Sequence, residues 1–316
     1  MSPVVSVILP TRNPDPDRLG RTLAGLAAQT LDRALWEALV VDNASDRAWE
    51  IPAPPSGVLP GLKRLHEPRA GLTFARICGI RAARGEVLVF VDDDNVLAPD
   101  YLAAAARRFA ENPRLAAAGG PVLPEWEAKP AAWVREFEGL LALRDLGPEP
   151  RVCAGGPGAR WPDFAPVGAG LAVRRTGALG YADAVTGDPV RQVLDRTGRS
   201  LGSGGDNDLV FTVLHAGGDV AYFPELQLTH LIPRCRIEAG YLARLNAGIM
   251  RTWVLVLHLH GQCPWPALPP WTVPFRCGRA WLRTQAWRSP ARRVRWHGRC
   301  GQFLGQSILH RLGRPA

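Results

Sequence analysis

Three adjacent carboxylates, Asp92, Asp93 and Asp94, close the stretch EVLVFVDDDN and set the first chemical question this sequence poses. Like charges within a few ångströms repel, and burial would force protons onto them unless a cation or strong hydrogen-bond donors offset the cost. A divalent metal ion meets that need most economically, because a hard cation prefers carboxylate oxygen. Other polar residues also follow short apolar runs: Thr11, Arg12 and Asn13 come after VVSVIL and Pro10, and Asp42 comes directly after ALVV.

The elements that must position these groups are legible. Residues 4–9, 39–41 and 87–91 are short, apolar and largely β-branched, the pattern of strands buried on both faces of a parallel sheet. Leu19, Leu23, Leu26 and Ala27 recur at helical spacing, GLTFARICGIRAARG suits a helix closed by Gly85, and residues 101–112 again read as helix. A proline-rich linker (Pro52, Pro54, Pro55, Pro60) leads into residues 62–66. Strands alternating with helices predict an α/β fold with a mainly parallel sheet and right-handed crossovers. Such open sheets bind ligands beyond the C-terminal ends of their strands. The polar groups at residues 11–13, 42 and 92–94 are therefore expected at one edge. No G-x-G-x-x-G follows the first strand and no G-x-x-x-x-G-K-[ST] occurs, which argues against dinucleotide, flavin and P-loop readings.

With 316 residues the chain can bury one large or two smaller cores. Its opening, MSPVVSVILPTRN, has neither a basic segment nor an apolar run long enough for a signal peptide, so a cytoplasmic location is expected. Six widely spaced cysteines without a C-x-x-C pair read as reduced thiols. The net charge of +9 is unevenly spread: residues up to Glu238 hold 26 basic and 29 acidic groups, whereas the remainder has 12 Arg and no Lys, Asp or Glu. Such a basic tail implies a polyanionic partner, a membrane surface or a nucleic acid.

The motifs VSVILPTRN, VVDNASD, GLTFARICGIRAARGEVLVFVDDDN and GDNDLVFTVLHAGGDVAYFPELQLTH occur in that order across residues 4–231. In them the chain resembles the family 2 glycosyltransferases, which have the GT-A fold, a Rossmann-like and mainly parallel sheet flanked by helices. The resemblance implies an inverting enzyme that uses a nucleoside-diphosphate sugar. It places the family's Asp-x-Asp motif on Asp92 and Asp94. Asp94 would contact Mg²⁺ or Mn²⁺ bridging the donor diphosphate, Asp92 would lie toward the ribose and the metal-bound water, and His230 would complete the metal shell. Asp93 is grouped with the donor-binding residues, although alternation along an extended segment turns it the other way. Asp42 resembles the carboxylate that reads the base. Pro10, Thr11, Arg12 and Asn13 would line the nucleotide pocket, and Arg76 would reach the nucleotide, with Ile77 standing where the family commonly has Asn.

In the second half, GSGGDNDLVFTVLHAGG resembles the segment carrying an acidic pair before a helix. Its second acid, the general base that takes the acceptor hydroxyl proton, aligns with Asp206, and Gly205 replaces the first. Asp208 falls where the family keeps a further, structural carboxylate on the acceptor side. Gly168 and Gly170 resemble the small-residue turn beneath the acceptor, where a side chain would block the sugar. Trp126 and Glu127 lie where the family reads its acceptor, and an indole face suits a pyranose ring.

The resemblance thus implies transfer of a hexose-type sugar to a hydroxyl of a glycan or lipid-linked acceptor, in cell-surface polysaccharide biosynthesis. A catalytic domain would span residues 1–232 and a helical, basic C-terminal region residues 233–316. A catalytically inactive nucleotide-sugar-binding scaffold is the alternative, favoured by Gly205. A nucleotidyltransferase would carry a glycine-rich basic signature that PTRNPDPD is not, and a terpenoid synthase would need D-D-x-x-D on a helix, where this chain has Val96 at the fifth position.

Residues 241–257 read as a helix whose apolar part falls short of the roughly 20 residues that span a bilayer. Beyond it, Trp265, Trp271, Trp281, Trp287 and Trp296 are interleaved with Arg276, Arg279, Arg283, Arg288, Arg292, Arg293 and Arg295. Indole with guanidinium favours an anionic membrane surface, peripheral on the cytoplasmic face, over nucleic acid. Packing of the tail as helices over the acceptor cleft is the third possibility. His258 and His260, two apart, would diverge on a helix, so no metal site is read there.

Overall fold

A computed structural model describes residues 3–52, 59–198 and 200–313; Pro54 and Pro55 of the proline-rich linker lie outside them. In chain order the elements are β1 (Val5–Thr11), α1 (Pro16–Ala27), β2 (Trp36–Asn43), β3 (Lys63–Glu67), α2 (Leu72–Ala82), β4 (Val87–Phe90), β5 (Asn95–Leu97), α3 (Tyr101–Glu111), β6 (Leu115–Gly119) and β7 (Val122–Trp126). There follow β8 (Arg151–Cys153), β9 (Ala172–Arg174), α4 (Arg175–Thr186), α5 (Pro189–Gln192), α6 (Gly205–His215), β10 (Asp219–Tyr222), β11 (Leu228–Ile232), α7 (Ala239–Leu259), α8 (Val273–Thr284) and α9 (Pro290–Leu312). The chain forms two compact units: Met1–Glu125 with Ala142–Gln192 and Leu209–Leu231, and Trp126–Leu141 with Val193–Asp208 and Ile232–Ala316.

The first unit is built on an eight-stranded sheet of order β3-β2-β1-β4-β9-β6-β10-β8. β3, β2, β1 and β4 run parallel, as do β6 and β10, while β9 is antiparallel to β4 and β6 and β8 is antiparallel to β10. This is the expected mainly parallel α/β sheet flanked by helices. Every residue of β1, β2 and β4 is buried, as their continuous apolar runs predict. Ile8, Leu39, Leu88 and Phe90 from the sheet pack with Ile80 of α2 and Tyr181 of α4 in one core.

At the opposite edge from the strand C-termini, the Glu37 carboxylate, 1% exposed, ties three elements together. It accepts from Ser6 Oγ at 2.8 Å, from Arg84 N at 2.9 Å and from Arg84 Nη2 at 2.7 Å. Gly85 does not close α2, which ends at Ala82; a Cβ on Gly85 would stand 2.6 Å from Ser6 N, so the glycine lets the chain pass beside β1. Burial pushes the Glu37 carboxyl up, but the hydrogen bonds from Arg84 and Ser6 outweigh it and hold the group below its ordinary value of 4.5.

The second unit is mostly helical. α9 presents Gly298, Gly301 and Gly305 to α7, and Cβ atoms there would lie 2.5 Å from Asn246, 2.1 Å from Ala247 O and 2.7 Å from Arg251 O. The missing side chains let the two backbones approach closely. α8 packs on α9 through Trp281 and Trp296, whose rings meet edge to face at 4.7 Å, with Trp296 Nε1 donating to Cys277 O at 2.9 Å. All six cysteines are free thiols. Among the described residues, no helix is long and apolar enough to cross a membrane.

Glu37→Ala is expected to lower stability by about 2–4 kcal/mol, because it strips a buried carboxylate from donors left in the interior. Since the folded-state pKa of Glu37 is depressed, its contribution is present above pH 4.5 and is lost as pH falls through the folded value. Urea unfolding of wild type and variant from pH 7 to pH 3 should show their difference shrinking in acid, and a constant gap would refute the assignment.

Candidate functional site

Strand register builds the first part of the site. Thr11, the last residue of β1, pairs directly with Asp42 near the end of β2, so both stand at the C-terminal edge. Asp92, Asp93 and Asp94 follow β4 at the same edge, because β4 pairs in parallel with β1. The three aspartates are not extended: Asn95 N donates to Asp92 O at 3.1 Å and the chain turns, so the strand alternation expected for Asp93 does not apply. The turn still separates the side chains. Asp93 accepts a hydrogen bond from Thr11 Oγ1, whereas Asp94 is 3% exposed and faces His230 Nε2 at 3.5 Å and Asn95 Nδ2 at 3.1 Å.

His230 arrives through the small sheet β5-β11-β7. β11 runs antiparallel to β5 with His230 opposite Asn95, and Leu231 N donates to Asp94 O at 2.8 Å. A strand far along the chain is thereby locked onto the aspartate turn. Asp92 is part-buried beside it. A buried carboxylate next to an imidazole is a donor pair that suits Mg²⁺ or Mn²⁺ as part of a shell. Among the described residues no three His, Cys, Asp or Glu side chains converge as a ready metal cluster.

Asp42 is held from two sides. Its Oδ1 accepts from Ser45 N at 3.2 Å, the Asx turn typical of a loop aspartate, and its Oδ2 accepts from Arg64 Nη2 at 3.0 Å. Burial pushes this carboxyl up, yet the donors Ser45 and Arg64 bring it below its ordinary range. Arg12 and Asn13 both bind Asp46, at 3.2 and 2.7 Å, and Asn13 N donates to Ser45 Oγ at 2.9 Å. The exits of β1 and β2 are stitched together by these contacts. Arg76 is 5% exposed, with its guanidinium carbon 5.7 Å from the Phe90 ring, so it is an interior arginine of α2. Pro10 is buried within β1.

Gly170 has φ +72°, and a Cβ there would lie 2.5 Å from Leu228 Cδ2 and 2.9 Å from the Tyr101 hydroxyl. The protein's own side chains therefore demand glycine at this position. Gly168 is also buried and accepts from Leu171 N at 3.4 Å. A separate cavity of about 490 Å³ is lined by Arg69, Phe74, Ile77, Cys78 and Arg81 of α2 and its approach and by Thr186 of α4; none of the expected site residues lines it.

In the second unit Asp206 and Asp208 lie in the first turn of α6. Asp206 is part-buried and its Oδ1 accepts from Asn207 N at 2.9 Å. Asp208 is fully buried and bonded to His260 Nε2 at 2.7 Å, which makes it an interior carboxylate and removes it from direct acceptor contact. Nothing in the spacing of His258 and His260 pointed to this pair. Trp126 is part-buried, and Glu127 is exposed and accepts from Arg234 N at 2.8 Å.

Comparison with known proteins gives the family. The family described as glycosyl transferase family 2 matches residues 6–160. An N-acetylglucosaminyltransferase of Bradyrhizobium sp. (strain ANU 289) is 31% identical over 104 residues, 32% of this chain and 67% of that protein. The chain belongs to glycosyl transferase family 2. The succinoglycan biosynthesis protein ExoM of Rhizobium meliloti (strain 1021) is 27% identical over 256 residues, 77% of this chain and 73% of its own. A glucosyl-dolichyl phosphate glucuronosyltransferase of Haloferax volcanii is 26% identical over 132 residues, and the match spans 42% of each chain. The chain thus covers less than half the length of that last relative.

The Asp208–His260 pair offers a stability test. His260→Ala leaves the carboxylate buried without its imidazole and should destabilise the protein by about 3 kcal/mol. A urea midpoint within error of wild type would show that the pair contributes nothing.

Proposed function

We propose that this chain is an inverting glycosyltransferase that moves a hexose-type sugar from a nucleoside-diphosphate donor to a hydroxyl of a glycan or lipid-linked acceptor in polysaccharide biosynthesis. The observation that carries the reading is the gathering of Thr11, Asp42, Asp93, Asp94 and His230 at one edge of the sheet in a member of this family. The names of the relatives support the polysaccharide setting.

In this reading Asp42 accepts from the nucleobase while Arg64 holds its carboxylate ionised and oriented. Pro10, Thr11, Arg12 and Asn13 shape the nucleotide pocket, and Thr11 keeps Asp93 aimed along the edge. Arg76 offers positive charge toward the phosphates. Asp94 and His230, with Asp92, would hold Mg²⁺ or Mn²⁺. When bound, that ion neutralises the charge developing on the diphosphate leaving group. Asp206 takes the proton of the acceptor hydroxyl as its oxygen attacks the anomeric carbon, and one such displacement inverts the configuration. Trp126, Glu127 and the backbone at Gly168 and Gly170 serve the acceptor. The catalytic domain is taken as residues 1–232, followed by the helical basic region 233–316.

The C-terminal region adds a surface. Trp271, just before α8, and Phe275 and Leu282 along it are 73, 75 and 66% exposed, whereas Val273 and Ala280 on the opposite face are buried. Exposed Arg276, Arg279 and Arg283 flank the apolar residues. An apolar stripe with flanking guanidinium groups suits the interface of an anionic bilayer. We therefore place the enzyme peripherally at the cytoplasmic face of a membrane.

Thermal shift with UDP, GDP, dTDP and CMP, with and without Mn²⁺, reads the donor site directly, since a ligand of the native state raises its stability. One diphosphate should raise the melting temperature in a metal-dependent way that Asp94→Ala removes. Asp206→Asn should keep that shift yet abolish sugar transfer, and full transfer by this variant would dismiss the base. Donor binding with neither transfer nor hydrolysis by wild type would favour the inactive scaffold. For the membrane surface, sedimentation with phosphatidylglycerol-containing vesicles should capture wild type and lose the triple variant Trp271→Ser, Phe275→Ser, Leu282→Ser. Equal capture by neutral vesicles would contradict the charge argument.

A further inference from the structure

The start of α6 holds a buried acid that no motif marks. Asp195 is 2% exposed, and its Oδ1 accepts from Gly205 N at 2.9 Å. The neighbouring backbone repeats the link, with Gly204 N donating to Leu194 O at 3.1 Å. Residues 194–195 are thus held against residues 204–205 by two hydrogen bonds. On the other side Thr252 of α7 sets the limit, since a Cβ on Gly204 would stand 3.2 Å from Thr252 Cβ and Ser203 N donates to Thr252 Oγ1 at 3.4 Å.

The decisive measurement concerns Gly205. A Cβ built there would lie 2.3 Å from Asp195 Oδ2, 2.6 Å from Cγ and 2.9 Å from Oδ1. The carboxylate of residue 195 therefore fills the space that any side chain of residue 205 would enter. The residue next in the chain is Asp206, in the first turn of α6. An N–H in the first turn of a helix has no partner within the helix, and a carboxylate is its strongest acceptor.

We propose that Asp195 is a positioning residue for Asp206, supplying from ten residues upstream the carboxylate that Gly205 lacks. It fixes the backbone at residue 205 and so holds the first turn of α6, with the base on it, in one orientation. The glycine is then not a sign of lost activity, because the carboxylate of Asp195 occupies the space beside it. This inference rests on the reading of Asp206 as the general base.

Steady-state transfer kinetics of wild type, Asp206→Asn, Asp195→Ala, Asp195→Asn and the exchange Asp195→Gly with Gly205→Asp test it, each normalised to the folded fraction measured by circular dichroism. Asp195→Ala should lower kcat about 100-fold with the donor KM unchanged, the loss expected of a misplaced catalytic group. Asp195→Asn, whose amide oxygen still accepts from Gly205 N, should stay within about tenfold of wild type. The exchange should recover about tenfold or more of the loss. If wild type transfers sugar and Asp206→Asn does not, a normal kcat per folded molecule in Asp195→Ala overturns the positioning role alone. An exchange variant no better than Asp195→Ala also overturns it, even where Asp195→Ala fails to fold. If wild type transfers nothing, or Asp206→Asn remains active, the base reading falls and the positioning role falls with it.

Discussion

Carboxylates crowded onto one edge of a sheet repel one another, and in the first unit four of them have separate partners. Asp42 has Arg64, Asp46 has Arg12 and Asn13, Asp93 has Thr11, and Asp94 has His230. None of these partners adjoins its acid in sequence. Each contact joins separate stretches of the chain, so the interactions that relieve the repulsion also hold the edge together. Two of these carboxyls, Asp42 and Asp46, are held below their ordinary range by the donors beside them.

The same logic governs the interior of the second unit, where two acids are deeply buried. Asp208 and Asp195 are both essentially without solvent exposure, and each is matched to a donor, His260 in one case and the Gly205 amide in the other. Close backbone approach is the enabling feature. Glycines at 298, 301 and 305 bring α9 onto α7, and glycines at 204 and 205 let the chain pass between Thr252 and Asp195. Larger residues at these points would push apart the elements on which the charged groups sit. The exposed face of α8 stands in contrast, since its aromatic and aliphatic side chains cover no other part of this unit.

Much of the first unit was legible before any coordinates. Continuous apolar runs read as buried strands because a strand covered on both faces is largely apolar, and every residue of β1, β2 and β4 is buried. The rule that ligands sit beyond strand C-termini then placed Thr11, Asp42 and the three aspartates on one edge. Two local readings failed for physical reasons. Gly85 stood where a helix stop was expected, but its role is to clear the backbone of β1. Strand alternation does not reach Asp93, because Asn95 closes a turn around it. In the tail, all the tryptophans look alike in sequence; Trp281 and Trp296 meet edge to face while Trp271 is 73% exposed, a distinction that periodicity over a short helix pair does not carry.

By itself the sequence determined the family, the first alternating strands and helices, and the groups with the right chemistry, because these depend on local patterns of polarity and on motifs a few residues long. Only the tertiary structure decided which group meets which. Arg64 reaches Asp42 through the β2–β3 pairing, His230 reaches Asp94 through the β5–β11 register, and Asp195 enters the space of Gly205 by closure of a loop. Such pairings are set by strand register and backbone approach over long separations, and a one-residue slip would undo them. No local pattern records them, since the free energy that selects them belongs to the packed whole.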